Sequence, residues 1–336
     1  MAQGADRQSA GSTGETRPWT SAVKPRHSHP MVTHRVPYVS PYDWGAMLDF
    51  FRARAVDGVE EVAGTRYRRT INVEGDGGIV EVRDDPAGGA LLVTMSLPPR
   101  LTSTVLASAR RAFDTETAPG PIGTHLARDP DFARVLALRQ GLRVPGCWDS
   151  FELAVRAVLG QQIAVAAARR LARQLVLLCG TSVRSTPGAT SLSRAFPTPH
   201  QVVNADLTAI AMPAARREAL RALATAALDR PELFSATGAI EATVARLRTI
   251  RGVGEWTAHY IAMRAFRHAD AFPTTDLGLI RGAAAVFGER PTARQLWRRA
   301  ECWRPWRAYA AQHLWTVDAA ARLRGRKLAD TEDTNG

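Results

Sequence analysis

Lysine is almost missing from this chain: Lys24 and Lys327 are the only two. No lysine lies between residues 25 and 326, so that span has no amine to serve as a Schiff-base nucleophile. Cysteine is scarce as well. Cys147, Cys179 and Cys302 are too few and too scattered for a disulfide framework, and no CxxC pair occurs. Three thiols also exclude a four-cysteine zinc or iron–sulfur site within the chain. Arginines interrupt every long apolar run before it reaches the ~18–20 residues of a membrane span, so no membrane partner is expected. The N-terminal stretch is polar and rich in Pro, Ser and Gly with no apolar core, which argues against secretion and for a cytoplasmic protein.

What is abundant is arginine. With two lysines among the 44 basic residues, 42 are arginines, and the net charge is +12 with a pI near 10.7. The excess is uneven: residues 281–330 hold eleven basic and four acidic side chains, more than half of the net charge. A lopsided basic surface suits a polyanion, because each phosphate contact releases counterions.

The 336 residues suggest two folded domains. Residues 1–36 show no hydrophobic periodicity and read as a disordered basic tail, with a second tail at 326–336. Trp44, Met47, Leu48, Phe50 and Phe51 then recur at helical spacing. Runs at 67–74, 79–84 and 91–97 read as strands joined by hairpin-type turns, and 101–113 returns to helix. These make a small N-terminal α+β domain over 37–118, followed by a Pro/Gly linker at 118–123. The remainder, 119–325, reads as helices at 129–139, 148–159, 163–178, 213–228, 238–248, 257–267, 277–287, 292–301 and 304–322. The fold class expected is therefore α+β, an antiparallel sheet domain preceding a mostly helical body.

The most informative stretch is Leu247-Arg-Thr-Ile-Arg-Gly252-Val-Gly254-Glu-Trp256-Thr-Ala-His-Tyr260. One helix ends, a Gly-x-Gly turn follows, and a second helix begins. Glycines let the backbone turn and approach a surface closely, and the first amides of the second helix sit at its positive end without acceptors. Such a turn grips phosphate without reading sequence. With Ile250, Val253 and Ala258 as packing positions, it has the form of a helix-hairpin-helix motif. Gly252, Gly254, Thr257 and Ala258 are its candidate DNA-backbone contacts. One helix downstream lies Phe272-Pro273-Thr-Thr-Asp276, where the aspartate also suits the N-cap of the next helix.

Hairpin and aspartate together resemble the helix-hairpin-helix DNA glycosylase superfamily. Pro41-Tyr-Asp-Trp-Gly-Ala-Met-Leu-Asp-Phe50, Gly141-Leu-Arg-Val-Pro-Gly-Cys147, Val155-Arg-Ala-Val-Leu-Gly-Gln161-Gln162 and Arg304-Pro-Trp-Arg-Ala-Tyr…His313-Leu-Trp315 narrow this. They resemble the bacterial 3-methyladenine-DNA glycosylase II branch, in family order from about residue 41 to about 320. The resemblance implies a monofunctional glycosylase that removes alkylated, cationic purines from duplex DNA, a monomer working at the bacterial nucleoid. Asp276 would be catalytic, and Trp256, Tyr260, Trp315 and Phe50 would line the pocket for the flipped base. Gln162 would be the wedge that fills the vacated stack. The carbonyls of Arg248, Ile250 and Val253 would suit a structural Na⁺ or K⁺. No catalytic metal or cofactor is implied.

Independent chemistry supports these roles. Trp256 and Tyr260 are four apart on one helix and share a face. Electron-rich rings attract a cationic base by ~0.5–2 kcal/mol each when desolvated. An ionised aspartate near C1′ would stabilise the oxocarbenium ion of glycosidic cleavage. Lyases of the superfamily carry a hairpin lysine where Trp256 stands here. Two rival readings remain: a non-catalytic binder of bent or damaged DNA, which needs neither Asp276 nor the ring pocket, and an oxidised-purine glycosylase.

Overall fold

The computed structural model describes residues 29–183, 191–235 and 238–332, with side chains as far as 324. Residues 1–28 and 333–336, much of the two stretches read as tails, lie outside the described residues. Five strands form one antiparallel sheet: β1 (Val32–Pro37), β2 (Glu60–Ala63), β3 (Arg66–Val73), β4 (Asp76–Asp85) and β5 (Ala90–Met95). Their spatial order is β1-β5-β4-β3-β2. The three strands expected from sequence are β3, β4 and β5. β1 corrects the expectation that the tail reaches residue 36. It pairs with β5, Val36 opposite Leu91, yet Val36 is its only buried residue, so this edge strand carries no alternating pattern. β2 is short and opens with Glu60 and Glu61, residues disfavoured in strands.

Two helices cover one face of the sheet, α1 (Trp44–Arg54) and α2 (Thr102–Phe113). Asp43 caps α1 by accepting the Ala46 N–H at 2.8 Å. Trp44, Met47, Leu48 and Phe51 of α1 pack with Tyr67, Val82 and Val93 of the sheet and with Phe113 of α2.

The helical body runs α3 (Pro119–Leu126), α4 (Pro130–Leu138), α5 (Ser150–Leu159), α6 (Val165–Cys179), α7 (Pro199–Asn204) and α8 (Ala214–Asp229). It continues as α9 (Ile240–Leu247), α10 (Glu255–Arg264), α11 (Leu277–Phe287), α12 (Ala293–Ala300) and α13 (Arg307–Glu332). The supposed linker at 118–123 is the start of α3. Pro119 opens that helix, where the absent N–H costs nothing. α13 runs through residues 326–332, correcting the expected start of the C-terminal tail.

The two units share their cores rather than meeting at a linker. Trp148 packs into the sheet-side core, while Val56 and Val59 belong to the helical one. A buried ion cluster closes the seam. Arg69 of β3 reaches Glu152 of α5 at 2.7 Å, and Arg156 of α5 reaches Glu60 of β2 at 2.7 Å. Tyr67 donates to the same Glu60 at 2.7 Å. Each charge thus has an opposite partner, the condition for ionised groups to be buried. Helices α11 and α13 cross at backbone distance, for a Cβ on Gly282 would lie 2.1 Å from the Leu314 carbonyl oxygen. That crossing brings the head of α11 beside the middle of α13.

Candidate active site

Helices α9 and α10 form the hairpin expected at 247–260. Gly252 has φ +86°, and a Cβ there would fall 2.3 Å from that of Ala219 on α8, so conformation and space both demand glycine. Gly254 caps α10 in extended backbone, and a Cβ on it would meet nothing within 4 Å. The outer face of the turn is therefore open beside the N–H groups of Glu255, Trp256 and Thr257, which have no acceptor within the helix. Two assignments change in detail. The Ala258 N–H donates to the Gly254 carbonyl at 2.9 Å and the residue is fully buried, so Ala258 packs the hairpin and does not offer an amide to DNA. The Thr257 side chain is buried too, its hydroxyl accepting from Gln161 Nε2 at 2.9 Å, which leaves its main-chain N–H for an anion.

On α10, Trp256, Tyr260 and Arg264 follow one another at four-residue spacing along a single face. The rings of Trp256 and Tyr260 stack with centroids 5.2 Å apart and planes inclined by 13°. Trp315 of α13 meets Tyr260 edge-on at 6.4 Å. Asp276 stands at the head of α11, accepting the Leu279 N–H at 3.0 Å as its N-cap. Both indoles reach the same carboxylate: Trp256 Nε1 donates to Oδ2 at 2.9 Å and Trp315 Nε1 to Oδ1 at 2.8 Å. Three rings from two helices, up to 59 positions apart in the chain, are thus gathered beside the Asp276 carboxylate. Phe50 joins through Arg264, whose guanidinium carbon lies 4.4 Å from the Phe50 centroid and 5.1 Å from those of Tyr260 and Trp315. Burial alone would raise the Tyr260 pKa, but Arg264 and Arg54 outweigh it and the net direction is down.

Gln162 is exposed at φ +57° in the turn after α5. Sequence reasoning missed the importance of its neighbour. Gln161 Nε2 also donates to the Gly252 carbonyl at 2.8 Å, and Arg216 donates to the Gln161 carbonyl at 2.7 Å. The turn bearing Gln162 is thereby fastened to the hairpin. Arg264 was missed as well, although its four-residue spacing from Tyr260 is the signal that finds it. A separate cleft of about 530 Å³ near Asp114, Arg267, Trp306 and Tyr309 shares no lining residue with the Asp276 cluster. On its wall Arg267 pairs with Asp114 and Arg110 with Glu116, while Arg111 donates to Ser108.

Comparison with known proteins decides the family. The chain is 38% identical over 283 residues to DNA-3-methyladenine glycosylase 2 of Escherichia coli, covering 83% of this chain and 95% of that one. The chain belongs to the DNA-3-methyladenine glycosylase 2 family. The family model described as the AlkA N-terminal domain matches residues 33–149. This family member is also 37% identical over 287 residues to a probable bifunctional transcriptional activator/DNA repair enzyme AlkA of Mycobacterium tuberculosis. That match takes in 85% of the chain but spans only 57% of the relative's length. Among solved structures, a 3-methyladenine DNA-glycosylase from Archaeoglobus fulgidus shares the fold with a TM-score of 0.73 at 19% identity, covering 86% of this chain and 98% of that one. An 8-oxoguanine glycosylase/lyase from Clostridium acetobutylicum, in complex with double-stranded DNA, gives 0.66 at 15% identity over 84% and 93%.

Proposed function

We propose that this glycosylase-family chain hydrolyses the N-glycosidic bond of alkylated, cationic purines such as 3-methyladenine in duplex DNA, as the opening step of base excision repair. The observation that carries the reading is the carboxylate of Asp276, held by two indole N–H groups and a helix-terminal amide at the edge of a ring cluster. A base taken out of the stack needs aromatic faces to replace its neighbours. Trp256, Tyr260, Trp315 and Phe50 supply them, and their π-faces attract an alkylpurinium ring. As the glycosidic bond breaks, its electron pair leaves with the base, which departs neutral. Positive charge passes to the sugar, where fixed negative charge on Asp276 stabilises it. Water adds to C1′ and its proton is lost to solvent or to Asp276.

The hairpin amides would hold the DNA backbone beside the site, and Gln162 would enter the space the base has left. The carbonyls of Arg248, Ile250 and Val253 are our candidate for a structural Na⁺ or K⁺. The Ile250 carbonyl already accepts the Val253 N–H at 3.0 Å, which leaves its second lone pair for an ion. We take the working form to be a monomer acting on chromosomal DNA.

The absence of lysine between residues 25 and 326 favours this hydrolytic reading over a lyase. The test is free-base release from methylated duplex, run beside borohydride trapping. Methylpurine should appear with an abasic site that breaks only in alkali, and without a covalent protein–DNA adduct. Trapping that keeps pace with base release would require another nucleophile and contradict water attack.

A further inference from the structure

Arg264 is 1% exposed, yet no carboxylate pairs with it among the described residues. Its donors go to neutral acceptors, the Pro145 carbonyl at 2.8 Å and Gln312 Oε1 at 3.1 Å, its Nε has none, and the Tyr260 side chain, itself no carboxylate, is what supports its charge. Of the other three buried arginines, Arg143 also bonds only to carbonyls, but it lies away from the ring cluster, and the remaining two are ion-paired. Arg307, wholly buried, contacts Asp270 at 2.8 Å, and Arg69 contacts Glu152 at 2.7 Å. Burial pushes the Arg264 pKa down to about 10, which leaves it a cation at neutral pH. Arg54 adds charge of the same sign, its guanidinium carbon 4.1 Å from the other neighbour of this group, the Phe50 ring centroid.

An uncompensated buried charge is costly, and a neutral side chain would fill the space without that cost. Its placement matters because three pocket rings share it. A ring already engaged by one cation attracts a second less strongly, and the two charges repel through a medium far less polar than water. Both effects act against a cationic base and leave a neutral base untouched.

We propose that Arg264 is a specificity-determining residue: its charge behind Phe50, Tyr260 and Trp315, with no carboxylate against it, lowers the pocket's preference for cationic over neutral bases. This rests on the base-pocket reading above.

The test is single-turnover free-base release from two duplexes, one carrying 7-methylguanine (cationic) and one carrying hypoxanthine (neutral). Wild type is compared with Arg264→Met and Gln312→Glu. The second variant keeps the guanidinium and places a counterion against it, so it carries the test if Arg264→Met does not fold. Wild type should release both bases, and in either variant the ratio of 7-methylguanine to hypoxanthine release should rise about tenfold. A ratio within twofold of wild type in folded Gln312→Glu, a shift towards hypoxanthine, or wild type that releases 7-methylguanine alone would each overturn the proposal. Release of neither base by wild type would instead defeat the base-pocket reading on which it stands.

Discussion

His259 and His313 are buried, and burial pushes both imidazoles down to about 4. His259 sits in the hairpin helix and accepts the Phe272 N–H at 3.3 Å, a contact that needs Nδ1 unprotonated. In the unfolded chain each would titrate near 6.5. The folded state therefore resists protonation that the unfolded state accepts. Their stabilisation is complete above about pH 6.5 and falls as pH drops towards 4, by on the order of 3 kcal/mol per histidine at the limit. Urea midpoints at pH 7 and 4.5 should show the drop, and His313→Leu should reduce it. An unchanged pH dependence in that variant would show that His313 does not contribute. At this scale the sequence was legible in part. Asp276, Trp256 and Tyr260 stand in recognisable motifs, but the convergence of two indoles on one carboxylate depends on how α11 crosses α13. Arg264 was overlooked because one arginine among 42 stands out only through its four-residue spacing from Tyr260.

Along the elements, the hairpin separates two glycines that look alike in sequence. Gly252 is needed for a left-handed backbone and for contact with Ala219, whereas Gly254 is extended and faces open space. Gly252→Ala should destabilise the fold by about 1–3 kcal/mol. Gly254→Ala should fold normally but bind duplex more weakly, because the added methyl stands where phosphate approaches. Thermal unfolding and duplex titration of both variants check this, and equal unfolding temperatures would contradict the assignment. The long helices were readable because their apolar residues repeat at the helical period. β1 was not, since an edge strand with one buried residue has no period to read, and α3 was not, since Pro119, Gly120 and Pro121 look like linker until the first-turn position is known.

Across the whole molecule, the +12 charge argued for DNA, but much of the arginine is structural. Arg69, Arg143, Arg264 and Arg307 are at most 4% exposed: Arg69 and Arg143 tie the two units together, Arg307 holds Asp270 within the helical body, and Arg264 borders the ring cluster, so none of them faces phosphate. The stronger case for a DNA enzyme is the arrangement those arginines support: an amide-rich hairpin, a turn fastened to it by Gln161, and a carboxylate among aromatic rings. The most direct measurement is single-turnover release of methylpurine from duplex by wild type and Asp276→Asn, with duplex affinity determined for both. Release by the variant should fall by orders of magnitude while affinity stays within a few-fold, because Asp276 acts on the charge that develops at C1′. Near-normal release by a folded Asp276→Asn protein would contradict the account.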